Sequence, residues 1–155
     1  MVIYRAKFDC ITEKDTETLA KKFANIAKKG DIFALFGTLG VGKSTFSRFF
    51  IQELTGAKDV PSPTFNLVQI YEADEFDIYH YDMYRIKSPV EAYELDIEDA
   101  FYNGISLIEW PEKIVPLLPK DIWKITISVR GSERVFEIET ESAENFQRLK
   151  EIYVD

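Results

Sequence analysis

Gly37-Thr38-Leu39-Gly40-Val41-Gly42-Lys43-Ser44 decides how the rest of the chain is read. Glycines stand at its first, fourth and sixth positions, then a lysine and a hydroxyl, which is the spacing of a phosphate-binding loop. A loop wrapped around a polyphosphate turns several backbone N–H groups inward, through conformations that residues with a Cβ adopt poorly. Lys43 then offers a point charge to the β and γ phosphates and Ser44 a hydroxyl to Mg²⁺. The helix that follows offers its N-terminal N–H groups to the same anion. Both flanks agree. Asp31-Ile32-Phe33-Ala34-Leu35-Phe36 is a short apolar run of buried-strand type. Phe46, Phe49, Phe50 and Leu54 recur at helical spacing, and Thr55-Gly56 is a stop signal. A chance glycine-rich turn would explain the loop, but not the lysine, the hydroxyl and both flanks together.

The 155 residues read as one domain, 1–155, long enough for a single well-covered core. Hydrophobic residues make up 46% and aromatic ones 14%, which argues against disorder. No apolar run approaches the ~18 residues of a membrane span. The N-terminal stretch Met1-Val2-Ile3-Tyr4-Arg5 lacks the layout of a signal peptide, so no membrane association is expected. Cys10 is the only cysteine; an internal disulfide is impossible, a reducing cytoplasm fits, and the thiol reads as structural. A net charge of −8 argues against tight direct binding of nucleic acid, whose phosphates select basic surfaces. Lys21, Lys22, Lys28 and Lys29 cluster, but they fit a solvated helix face.

Along the chain, Val2 to Phe8 reads as a strand and Thr12 to Lys29 as a helix, with Asp15 capping its start and Gly30 ending it. Asp59-Val60-Pro61-Ser62-Pro63-Thr64 is a stiff extended connector. Ser62 and Thr64 are there candidate γ-phosphate sensors, although an ordinary proline-rich turn explains the segment equally well. Phe65 to Tyr71 and Phe76 to Asp82 read as a β-hairpin, with Phe76, Ile78, His80 and Asp82 on one face. Asp82, at a strand end, is either a carboxylate for nucleotide-bound Mg²⁺ or a turn residue. The lone His80 reads as a hydrogen-bonded structural histidine rather than a base. Ser88-Pro89-Val90-Glu91 is a capping box opening a short helix through Leu95, and a second helix runs from Asp96 to Tyr102. Ile105-Ser106-Leu107-Ile108 is an apolar strand ending at Glu109, an acid placed to hold Mg²⁺ or polarise water; Glu112 serves the next turn. Trp110 is either a packing anchor or a stacking platform. Two strands follow around Gly131-Ser132, and Ser142 caps a last helix with Phe146, Leu149 and Ile152 as its apolar stripe.

Four stretches taken in series resemble the TsaE (YjeE) family, small bacterial ATPases needed to make threonylcarbamoyladenosine in tRNA. They are the phosphate loop through Thr45, Val60-Pro61-Ser62-Pro63-Thr64-Phe65, His80-Tyr81-Asp82-Met83-Tyr84-Arg85, and Ile108-Glu109-Trp110-Pro111-Glu112. The resemblance spans about residues 12 to 140. It implies a three-layer α/β fold of the phosphate-loop type, with a mixed sheet parallel at its centre and antiparallel at its edges. It implies ATP and Mg²⁺ as ligands. It also implies a partner, the TsaB–TsaD complex, which itself modifies adenosine 37 of tRNAs reading codons that begin with A; ATP hydrolysis here would support its repeated turnover. By position, the resemblance gives Thr38, Leu39, Gly40, Val41, Gly42, Lys43, Ser44 and Thr45 to ATP, and Ser44, Glu109 and Asp82 to the metal. Asp82, Lys43 and Glu109 would serve hydrolysis, Ser62 and Thr64 would form the switch, and Arg85 would contact phosphate or a partner. Thr38 departs from the pattern: the family often has an acid there, and threonine supplies no carboxylate to orient water. Val41 and Ser44 replace the usual alanine and threonine.

Three other readings compete. A small-molecule kinase also uses a phosphate loop, but no arginine-rich lid segment is visible. A GTPase would need an Asn-Lys-x-Asp or Asp-x-x-Gly motif, and the chain has neither. A nucleotide-sensing module that does not hydrolyse would suit Thr38.

Overall fold

The computed structural model describes residues 2–38 and 40–153. In chain order its regular elements are β1 (Tyr4–Cys10), α1 (Glu13–Ile26), β2 (Ile32–Phe36), α2 (Lys43–Thr55), β3 (Val68–Glu72), β4 (Asp77–Asp82), a 3₁₀ helix (Pro89–Leu95), α3 (Ile97–Asn103), β5 (Ile105–Glu109), a second 3₁₀ helix (Pro111–Leu117), β6 (Trp123–Arg130), β7 (Glu133–Thr140) and α4 (Ala143–Tyr153). The strands form one sheet in the order β1-β7-β6-β2-β5-β4-β3. The centre, β6-β2-β5-β4, is parallel, and the flanking pairs β1/β7, β7/β6 and β4/β3 are antiparallel. The expected mixed sheet is therefore present.

Two cores cover the two faces of this sheet. On one face Phe23 of α1 and Phe46 and Phe50 of α2 pack on Phe33, Trp123 and Phe136, with Leu149 of α4 joining them. Their rings meet mostly edge-on, Phe23 lying 5.7 Å from Trp123 and 6.0 Å from Phe46. On the other face Tyr79, Tyr81, Ala34 and Ile108 pack under Ala92, Ile97, Ala100 and Ile114. The alternation read in residues 76–82 is real, with Ile78 facing one core and Tyr79 and Tyr81 the other. Both faces are buried because a hydrophobic core packs on each side of the sheet at β4. Among the described residues no helix is long and apolar enough to cross a membrane.

Several element ends differ from those read in the sequence, some because of distant partners and some because of local hydrogen bonds. The first strand runs from Tyr4 to Cys10 because its ladder with β7 pairs Tyr4 with Thr140 and Cys10 with Arg134. In α1, Thr12 is the N-cap and Asp15 its capping-box partner: Thr12 accepts the Asp15 N–H, while the Asp15 carboxylate accepts those of Thr12 and Ile11. The helix stops at Ile26 and not at Gly30. There the Ile26 carbonyl accepts from Arg148, whose guanidinium grips Asp31 at 2.7 and 2.8 Å, and Asp31 accepts the Lys28 N–H. Phe65 to Leu67 form a turn and no strand; Leu67, at φ 68, offers its carbonyl to the Asp82 N–H. Ser88 makes no capping bond, since the Glu91 carboxylate accepts the Lys87 N–H and the segment winds as a 3₁₀ helix. Cys10 is buried, and that burial pushes its thiol above the ordinary value, in keeping with a structural role.

Candidate functional site

The phosphate loop leaves the end of β2 and enters α2. Gly37 sits at φ +148, and a Cβ there would come within 2.7 Å of the Val41 side chain and 2.8 Å of the Ile127 carbonyl oxygen. The carbonyl belongs to β6 and has no room to yield. Gly37→Ala is therefore expected to destabilise the fold by about 1–3 kcal/mol, read as a lowered midpoint in urea unfolding. Gly42, at φ +119, is the N-cap of α2 and brings no side chain to the first N–H groups of that helix. Those donors stay open to an anion at the positive end of the helix.

Lys43 is 4% exposed. Its Nζ donates to the Gly37 carbonyl at 2.6 Å and lies 3.4 Å from the centre of the Trp110 ring. Burial pushes its ammonium below the ordinary lysine value, while Glu109, Glu112 and Asp82 pull it back up. Trp110 reaches this place from a left-handed backbone, φ 59 and ψ 50, a sparsely populated region for a bulky residue. That strained turn follows directly on Glu109 and folds the indole back over the loop, where the ring meets Lys43 on one side and packs against the core around Ile108 on the other. Tyr84 leans against its ring at 4.8 Å.

The two carboxylates come from neighbouring strands. β4 and β5 pair in parallel register with Asp82 opposite Glu109. The Ser44 hydroxyl donates to Glu109, 3.0 Å from Oε1 and 3.2 Å from Oε2. His80 Nε2 lies 2.6 Å from Glu109 Oε2. Asp82 accepts the Thr64 hydroxyl at 3.1 Å and the Tyr84 N–H at 3.0 Å, and Ser62 lies 2.7 Å from Thr64 through their hydroxyls. Lys43, Ser44, Thr45, Ser62, Thr64, Asp82, Glu109 and Trp110 thus share one cavity of about 300 Å³ with Gly40 and Gly42. Thr38 is exposed and Val41 is packed into the core. Neither side chain lines that cavity, and the Val41 N–H is given to the Thr38 carbonyl. Leu39 lies outside the described residues. Arg85 stands over the Phe65 ring at 5.6 Å, away from the carboxylates.

Sequence reasoning missed a second cavity, of about 190 Å³, on the other side of the loop. It shares Gly40, Gly42 and Thr45 with the first and is closed by Cys10, Ile11, Thr12, Thr16, Ser132 and Arg134. The Arg134 guanidinium donates to the Val41 carbonyl at 2.9 Å, tying β7 to the loop. No local pattern marks a contact across 93 residues. The alternation put His80 and Asp82 on one face, but the bond from His80 to Glu109 depends on the parallel register of β4 and β5.

Among the described residues no group of three or more His, Cys, Asp or Glu is arranged to hold a metal ion unaided. The Ser44 hydroxyl with the Asp82 and Glu109 carboxylates is instead a sparse set of hard oxygen donors. That set fits Mg²⁺, which usually takes one or two carboxylates and completes its shell with phosphate oxygens and water.

Comparison with known proteins shows which family the chain belongs to. Residues 10–136 match the family model described as "Threonylcarbamoyl adenosine biosynthesis protein TsaE". A Rickettsia typhi protein named "tRNA threonylcarbamoyladenosine biosynthesis protein TsaE" is 45% identical over 124 residues, 79% of this chain and 86% of its own length. The Bacillus subtilis protein of that name is 34% identical over 128 residues, 82% of this chain and 80% of its own. A crystal structure of Bacillus subtilis YdiB superposes with a TM-score of 0.81 at 26% identity, covering 99% of this chain and 97% of that one. A match of this extent leaves one conclusion: the chain belongs to the TsaE family of phosphate-loop nucleotide-binding proteins.

Proposed function

We propose that this protein binds and hydrolyses ATP with Mg²⁺ as an accessory to threonylcarbamoyladenosine formation in tRNA, acting with the TsaB–TsaD complex to support repeated turnover. The observation that carries the reading is the single cavity joining Lys43, Ser44, Thr64, Asp82 and Glu109. A cation, a helix N-terminus, two acids and a hydroxyl-bearing loop converge there, as phosphoryl transfer to water requires. Lys43 and the loop N–H groups hold the β and γ phosphates, and Thr45 lies beside the α phosphate. Ser44 and Glu109 hold the metal, which when bound neutralises charge on the phosphates. Asp82 orients the attacking water, and Thr64, hydrogen-bonded to Asp82, senses the γ-phosphate. The smaller cavity behind the loop takes the ribose and base, since Gly40, Gly42 and Thr45 line both spaces.

The test mixes the protein with TsaB and TsaD and measures complex formation and tRNA modification over many turnovers. A complex that forms with ATP and cycles repeatedly only when this protein is present supports the proposal. Modification that runs equally well without it sinks the accessory role. Steady phosphorylation of a nucleoside or metabolite instead makes the protein a kinase.

A further inference from the structure

His80 is 1% exposed, beneath the two carboxylates. One ring nitrogen, Nε2, lies 2.6 Å from Glu109 Oε2, and the other, Nδ1, has no hydrogen-bond partner among the described residues. A buried N–H without an acceptor costs more than a bare lone pair. The proton therefore belongs on Nε2, where the Glu109 side chain accepts it. Glu109 receives side-chain hydrogen bonds from two residues only among those described, Ser44 and His80. Ser44 is the hydroxyl a nucleotide-bound cation would claim. Once it is claimed, the imidazole is the one side-chain donor left to the carboxylate. It stands on a fixed neighbouring strand, with His80 opposite Leu107 and Asp82 opposite Glu109 in the ladder.

We propose that His80 is the positioning residue of Glu109: its Nε2–H pins Oε2 and so holds the carboxylate, which the Ser44 hydroxyl reaches at both oxygens, in the orientation that would present it to a divalent cation, a role that rests on the nucleotide–Mg²⁺ reading above. A carboxylate ligand left to rotate would lose part of the metal's affinity, because outer hydrogen bonds fix the orientation of metal ligands. A histidine that merely filled space would have no such effect.

The experiment uses the β,γ-imido analogue of ATP and calorimetric titration of the intact protein, in EDTA and over a Mg²⁺ series. His80→Asn and His80→Leu are expected to bind the analogue in EDTA within about twofold of the unsubstituted protein, yet to need about ten- to a hundredfold more Mg²⁺ for tight binding. His80→Gln, whose amide nitrogen reaches the Nε2 position, is expected to stay within about threefold on both measures. The Gln and Asn variants are both polar amides, so their comparison carries the test if the Leu variant folds poorly. An unchanged Mg²⁺ requirement in His80→Asn overturns the proposal alone, while the nucleotide–Mg²⁺ reading stands. Equal loss of affinity with and without Mg²⁺ in all three variants reduces His80 to packing. An unsubstituted protein indifferent to Mg²⁺ overturns the metal reading, and the role of His80 with it.

Discussion

Lys43→Ala is expected to weaken ATP binding by at least about a hundredfold, roughly 3 kcal/mol, on calorimetric titration. The size follows from what the ammonium faces. Glu109, Glu112 and Asp82 all act on Lys43, and two of them line the same cavity. Without the lysine, a polyphosphate would approach two carboxylates and no opposing side-chain charge in that space. The lysine is also held ready, by the Gly37 carbonyl at 2.6 Å and the Trp110 ring at 3.4 Å, so little ordering remains to be done when the anion arrives. The fold should survive, since the carbonyl and the ring both keep other surroundings, and thermal unfolding of the ligand-free variant checks this. Affinity within tenfold of the original would remove Lys43 from the site.

Asp82→Ala is expected to behave in the opposite way, holding ATP within a few-fold and losing about a hundred- to a thousandfold in turnover measured with the partner complex. Among the described residues Asp82 accepts no N–H of the phosphate loop; it accepts from Thr64 and from the Tyr84 backbone. Its removal thus frees the switch segment without emptying the phosphate cradle. Asp82→Asn separates charge from anchoring, because an amide oxygen can still accept the Tyr84 N–H. Turnover lost in both variants assigns the effect to the carboxylate. Turnover kept in Asn and lost in Ala assigns it to anchoring alone, and full activity in both takes Asp82 out of the chemistry.

What could be read in advance divides by range of interaction. The loop was legible because strand, turn and helix are adjacent in sequence and each glycine marks a local backbone need. The hairpin and the alternation of residues 76–82 were legible for the same reason. The pairing of Asp82 with Glu109 was not, since parallel register is set by tertiary packing of strands far apart in the chain. The early end of α1 depends on Arg148, 122 residues beyond Ile26. Trp110 took a left-handed backbone that no residue-type preference predicts, and only the finished site accounts for where its ring goes. At the start of α1 the sequence shows only that Thr12 and Asp15 are both present, and a capping box uses both, so which one is the N-cap emerges from the structure.

The register that sets Asp82 opposite Glu109 also bears on how this protein is free to vary. Side chains alternate along a strand, so sliding β4 by one residue would bring Tyr81 to the phosphate side and turn Asp82 into the core beneath Ala92 and Ile97. Chemistry and packing are written in one frame. Single substitutions can alter the site one group at a time, as the variants above do. A one-residue insertion or deletion within β4 or β5 cannot, because it displaces the carboxylate and the tyrosines together. Changes of length belong in the turn at residues 73–76 and in the start of the connector at 57–59, ahead of the hydroxyls of Ser62 and Thr64.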